Sequence, residues 1–293
     1  MKKVVLSLLV GSMILGGCSK MDETREKEAK DTTPVQEYVG QGFIFADGEK
    51  SKDIVEKNKA EIGRRAIKYM KETYKTDVKV NNVVPARSAA VVMVEAEEPI
   101  QFHTSVIVGL DMKKKALDPE EANVVRSEEG VVENAILGGL FHKAYSSNFE
   151  TLDSTLISLL KEEKVEHYNQ KAIDRTENSG YANQFYFVSF FEDYNEILNA
   201  YLENINISSE DIKKMFETHP DNKNISINVR LFMGNGQKPS QVIVNKTVKE
   251  LEKVKEIPMA TYNIILYKNE ILNKVGLPDG ENASKEIYLG SNR

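Results

Sequence analysis

Phe102-His103-Thr104-Ser105-Val106-Ile107-Val108-Gly109-Leu110 is the stretch that decides the fold. Phe102, Thr104, Val106, Val108 and Leu110 occupy alternate positions, the period of a strand with one face against a core. Upstream, Ser88 to Ala96 reads as a second, Val-rich strand, and Val78 to Val84 as a third that stops at Pro85. Before them, Ile54, Ile62, Ala66, Tyr69, Met70 and Tyr74 recur near 3.6-residue spacing and predict a helix from Lys50 to Tyr74. Lys57, Lys59, Lys68, Lys71 and Lys75 lie mostly off that stripe and read as its solvated face. A long helix followed by a meander of strands predicts an α+β fold, with helices covering antiparallel sheet. Glu95, Glu97 and Glu98 read as a charged turn ending at Pro99.

Working outward, Lys113-Lys114-Lys115 and the polar run from Asp118 to Gly130 mark a boundary between segments 38–115 and 131–293. The second segment opens with a helix over Val132–Tyr145, weakened by Gly138-Gly139, and a helix marked by Leu152, Leu156, Leu159 and Leu160. Asp174 to Gly180 reads as a loop. Gln184 to Phe191 is the most aromatic run and is expected to be a buried central strand. The alternative is that Phe185, Tyr186, Phe187, Phe190 and Phe191 line a ligand pocket. Tyr194, Ile197, Leu198, Tyr201, Leu202 and Ile205 form an amphipathic stripe, and Ser208-Ser209-Glu210-Asp211 resembles a capping box. Ile225, Ile227, Val229 and Leu231 alternate as a half-buried strand. A helix from Ser240, a strand over Met259–Tyr267 and a polar tail complete the chain. Helix-then-strands occurs in both segments, which suggests two similar αβ halves.

The N-terminus carries an address. Lys2 and Lys3 precede a mostly apolar run from Val4 to Gly17, shorter than the about 20 residues that span a bilayer. That combination reads as a signal peptide over residues 1–17. Leu15-Gly16-Gly17-Cys18 follows the pattern of a lipobox, with cleavage expected after Gly17 and a diacylglycerol expected on the Cys18 thiol. A thiol is needed there because thiolate is the reactive nucleophile. Residues 18–37 are charged and poor in apolar side chains, so they read as a flexible tether reaching on the order of 25 Å.

Composition narrows the rest. Cys18 is the single cysteine, so no disulfide, CxxC metal site or catalytic thiol is expected in the body. The formal charge is −6, and becomes two units more negative once Lys2 and Lys3 leave, which excludes the basic footprint of a nucleic-acid binder. Gly234-Asn235-Gly236 lacks the remainder of a phosphate loop and reads as a turn before a helix. Ser158-Leu159-Leu160-Lys161 matches Ser-x-x-Lys but sits in a helix stripe, and no Lys-Thr-Gly accompanies it. His103, His142, His167 and His219 show no zinc spacing, and Asp279-Gly280-Glu281-Asn282 lacks the ligands of a calcium loop. No catalytic residue, cofactor or metal is therefore expected.

The lipobox and the Lys-, Asn- and Glu-rich body together resemble an uncharacterised family of Gram-positive surface lipoproteins, a domain of unknown function. That resemblance implies anchoring to the cell membrane through Cys18, on the extracytoplasmic face, and no assigned activity. The expected role is a non-enzymatic binding module with a protein or envelope partner. Solute capture for a transporter is the alternative, and an enzyme with an unrecognised site comes third. A deep interlobe pocket would favour capture, whereas one continuous sheet surface would favour the binding module.

Overall fold

The computed structural model describes residues 31–119, 124–178, 180–220, 224–234 and 236–289. Gly17, Cys18 and most of the 18–37 tether lie outside the described residues. Thr32–Arg293 forms one compact unit.

In chain order, β1 (Thr32–Thr33) leads to α1 (Lys52–Tyr74), β2 (Lys79–Ala86), β3 (Ala89–Ala96), β4 (Phe102–Asp111), β5 (Ala116–Leu117) and β6 (Val125–Arg126). The antiparallel order is β2-β3-β4-β5, with β6 also on β4. The stripe of α1 buries Ile54, Ile62, Ala66, Met70 and Tyr74 against this sheet, as its periodicity requires. Strand β2 continues through Pro85 rather than stopping there. It lies at the sheet edge, where a missing N–H costs no ladder bond.

The second segment supplies α2 (Val131–Ala144), α3 (Ser146–Glu163), α4 (Gln170–Thr176), β7 (Tyr186–Phe190), α5 (Asn195–Glu203) and α6 (Ser209–Thr218). It continues with β8 (Ile225–Phe232), α7 (Gln241–Lys253), β9 (Ala260–Tyr267), β10 (Ile271–Leu272), β11 (Leu277–Pro278) and β12 (Asn282–Leu289). The fold is α+β. Its second sheet runs β12-β9-β8-β7, and the β8–β9 pair is parallel, joined by the crossover helix α7. Strands β1, β10 and β11 make a small third sheet.

Five local expectations change. The aromatic strand β7 is an edge strand, not a central one, and its residues alternate between buried and half-buried. Strand β8 is an interior one beside β9, buried on both faces rather than half-buried. Asp174 lies within α4, not in a loop, and the polar tail contributes β12. Glu95 sits inside β3 with 5 % exposure, so it is not part of a surface turn.

One hydrophobic core runs through residues of both segments, from Val92 and Val106 through Leu140 and Phe141 to Val229 and Ile264. Helix α2 crosses its centre and is apolar almost all round, the pattern of a buried helix. Gly138 and Gly139 do not weaken it. They allow close approach: a Cβ at Gly139 would stand 2.7 Å from the Gln101 carbonyl oxygen, and one at Gly138 2.8 Å from the Tyr181 amide. Ser208 caps α6 as expected, its Oγ accepting from the Asp211 N–H at 3.1 Å. No helix among the described residues is long and apolar enough to cross a membrane.

Candidate ligand cavity around Arg230

Arg230 interrupts an otherwise apolar run, Val229-Arg230-Leu231-Phe232, in the interior strand β8. Its neighbours Val229 and Leu231 point into the main core, so alternation turns Arg230 to the opposite face. That face is covered too. Arg230 is only 9 % exposed, its Cζ lying 4.7 Å from the Tyr168 ring centroid and 4.6 Å from that of Phe187. A guanidinium held between two rings gains from the negative faces of both, more so when desolvated.

Among the described residues the charge has one carboxylate partner. Arg230 Nη1 donates to Glu177 Oε2 at 2.8 Å, and both side chains are almost wholly buried. Burial pulls the Arg230 pKa down, but the Glu177 carboxylate and the Tyr168 hydroxyl outweigh it, so the guanidinium is held above its ordinary value. Its Nε and Nη2, with the Tyr168 hydroxyl, are buried without a hydrogen-bond partner among the described residues. Unpaired buried donors cost about 1–3 kcal/mol each, more when charged. A fold that only needed a core would place an aliphatic residue here.

These groups border a cavity of about 520 Å³, within the range of small-molecule sites. Phe43 and Phe45, packed edge to face at 5.3 Å, form one apolar wall. Phe187 and Tyr267 form another, while Glu177, Asn178 and Arg230 supply the polar end. Leu277, 58 % exposed, stands at the rim. Gly276 adopts φ +68° in the turn carrying this rim and passes within 3.3 Å, measured from an added Cβ, of the Tyr38 hydroxyl. A side chain there would be strained and crowded.

A larger hollow of about 870 Å³ runs along α3 but offers less chemistry. The hydroxyls of Thr151, Ser154, Thr155 and Ser158 along it already donate to carbonyls four residues back. Ser158 is thus a helix-surface residue, and the Ser-x-x-Lys pattern is structural.

The histidines do not converge. His142 stacks on Tyr181 at 3.7 Å, His167 contacts Phe185, and His219 stacks on Tyr194. His103 does meet acidic groups that spacing could not reveal. Its Nε2 lies 3.4 Å from Asp174 Oδ1 and 3.7 Å from Glu95 Oε2. These three donor atoms lie within 4.8 Å of one another, brought together from β3, β4 and α4. Asn81 Nδ2 donates to Glu95 Oε2 at 2.9 Å and Gln170 Nε2 to Asp174 Oδ1 at 2.8 Å. Burial pushes the Asp174 carboxyl up, yet hydrogen bonds from His103 and Gln170 outweigh it and hold it below its ordinary value. A separate half-buried acid, Asp153, accepts from the Tyr186 hydroxyl at 2.6 Å and ties α3 to β7. Gly234 and Gly236 form the turn between β8 and α7, while Asn235 lies outside the described residues.

Fold and cavity together define an α+β protein with an amphipathic, small-molecule-sized cavity around a buried arginine. The chain belongs to the DUF1672 family, described as proteins of unknown function, whose profile matches residues 25–290. The crystal structure of a DUF1672 family protein from Staphylococcus aureus subsp. aureus Mu50 is similar, with TM-score 0.75 and 19 % identity. The match covers 89 % of this chain and 99 % of that one. A DUF5037 family protein from Ruminococcus gnavus aligns with 71 % of this chain and 76 % of its own at 11 % identity and TM-score 0.30, too low to carry an argument. The comparison with curated proteins found no match.

Proposed function

We propose that this protein is a non-enzymatic binding module, anchored by lipid on Cys18 at the extracytoplasmic face of the membrane, that captures a small amphipathic molecule. The observation that carries the reading is Arg230: a charge buried between Tyr168 and Phe187 at the wall of a cavity of about 520 Å³. The ligand's apolar body packs against Phe43, Phe45 and Phe187, and its polar end meets the Arg230–Glu177 pair. Two acyl chains on Cys18, at about 0.8 kcal/mol per buried CH₂, would hold the module durably at the surface. The concave site supports capture of a small solute over recognition of a partner by a flat sheet face. The test is to recover small molecules released on denaturing the purified full chain. Recovery lost in Leu277→Arg, which sets a charge at the exposed rim, supports the reading; equal recovery from both proteins refutes it.

A further inference from the structure

The geometry points to a divalent cation site formed by Glu95, His103 and Asp174, with Zn²⁺ the cation its donors fit. The donors are one imidazole nitrogen and two carboxylate oxygens, the nitrogen–oxygen set used for zinc. Their spacing is the telling quantity. His103 Nε2 stands 3.4 Å from Asp174 Oδ1, a long hydrogen bond, and 3.7 Å from Glu95 Oε2, outside hydrogen-bond reach. Two ligands each about 2.1 Å from a tetrahedral Zn²⁺ stand about 3.4 Å apart. The two distances from His103 are therefore those of ligands sharing an ion, and inward movement of the carboxylates, whose oxygens lie within 4.8 Å of each other, closes the set.

The surroundings suit a cation as well. His103 is fully buried and Glu95 nearly so, whereas the Asp174 side chain is 28 % exposed and opens a path for a water ligand. Asn81 and Gln170 donate to the two carboxylates, the outer contacts that orient metal ligands. Lys79 is the competing charge, 3.1 Å from Glu95 Oε2. It is half exposed and also bonds Glu97, so an arriving cation can release it to that second carboxylate. Three carboxylates, Glu95, Glu97 and Asp174, gather around one ammonium, that of Lys79, so the group favours a cation.

The site is separate from the Arg230 cavity, though α4 and the residues after it serve both: Asp174 faces His103, and Glu177 faces Arg230. The test is isothermal titration of the chelator-treated full chain with ZnCl₂. One Zn²⁺ per chain is expected, with affinity reduced at least about 10-fold in Asp174→Asn and in His103→Gln. Asp174→Asn keeps the shape of a partly exposed side chain and carries the comparison if the fully buried His103→Gln fails to fold. Absence of saturable Zn²⁺ binding by the parent chain, or unchanged affinity in folded Asp174→Asn, overturns the proposal. Binding of a dye at the Arg230 cavity is expected to persist in Asp174→Asn, so loss of one site is distinguishable from loss of the other.

Discussion

Arg230 of β8 and Glu177, just beyond α4, form a 2.8 Å ion pair at the wall of the cavity, with both side chains close to nine-tenths buried. Breaking such a pair leaves an uncompensated buried charge, at a cost of about 3–5 kcal/mol, whereas replacing both partners with apolar groups of similar volume is often nearly neutral. Glu177→Leu alone is therefore expected to destabilise the protein by about 3 kcal/mol, and Arg230→Met with Glu177→Leu by clearly less. Urea unfolding of the two single variants and the double gives the coupling. Simple additivity would show that the pair does not act as a unit.

His142 sets an acid limit. Burial pushes its imidazole from the ordinary 6.5 down to about 4. The folded protein excludes a proton that the unfolded chain takes up, so His142 contributes stability above pH 6.5 that is lost as pH falls toward 4. At about 1.4 kcal/mol per pH unit, the loss is roughly 3 kcal/mol. His142→Phe, which keeps a ring against Tyr181, is expected to flatten the stability profile between those values. An unchanged acid slope would assign the loss to other groups.

Gly139→Ala should destabilise the fold even though alanine favours a helix by about 1 kcal/mol. The added methyl would meet the Gln101 carbonyl oxygen at 2.7 Å, between a buried helix and backbone that cannot swing aside. A net loss of about 2 kcal/mol in denaturant unfolding is expected; a gain would contradict this close packing.

Cys18→Ala is expected to abolish incorporation of labelled fatty acid and to release the protein from membranes, because the proposed anchor is carried by that thiol. Persistent label on the variant would remove the anchor from the account.

Sequence pattern carried the helices and long strands because each buries a regular stripe: α1 through Ile62, Ala66 and Met70, and β4 through Phe102, Val106 and Val108. It failed where an element buries little. Helix α4 hides only Ala172 and Ile173, which is too short a stripe to distinguish from a loop. Strand β12 is mostly exposed and charged, held by its pairing with β9. The Gly138-Gly139 pair looked like a flaw, since close backbone contacts across the core leave no local trace. The candidate sites were hidden for the same reason. Tyr168, Glu177, Phe187 and Arg230 meet only after folding, as do Glu95, His103 and Asp174. A signal for the first was present: Arg230 in an apolar strand is a charge that burial must explain. His103, within the strand that decides the fold, was the corresponding sign for the second.

The central claim is that the Arg230 cavity binds an amphipathic molecule, and fluorescence titration with 8-anilinonaphthalene-1-sulfonate tests it most directly. The dye joins aromatic rings to an anion, matching the cavity's apolar walls and cationic end. Saturable enhancement is expected with the parent chain and with Val242→Arg, a control at a 77 % exposed position on α7. Leu277→Glu, which sets a carboxylate at the cavity rim against the dye's sulfonate, is expected to weaken it at least about 10-fold, equivalent to about 1.4 kcal/mol. Equal binding by all three proteins, or none by the parent, would contradict the account.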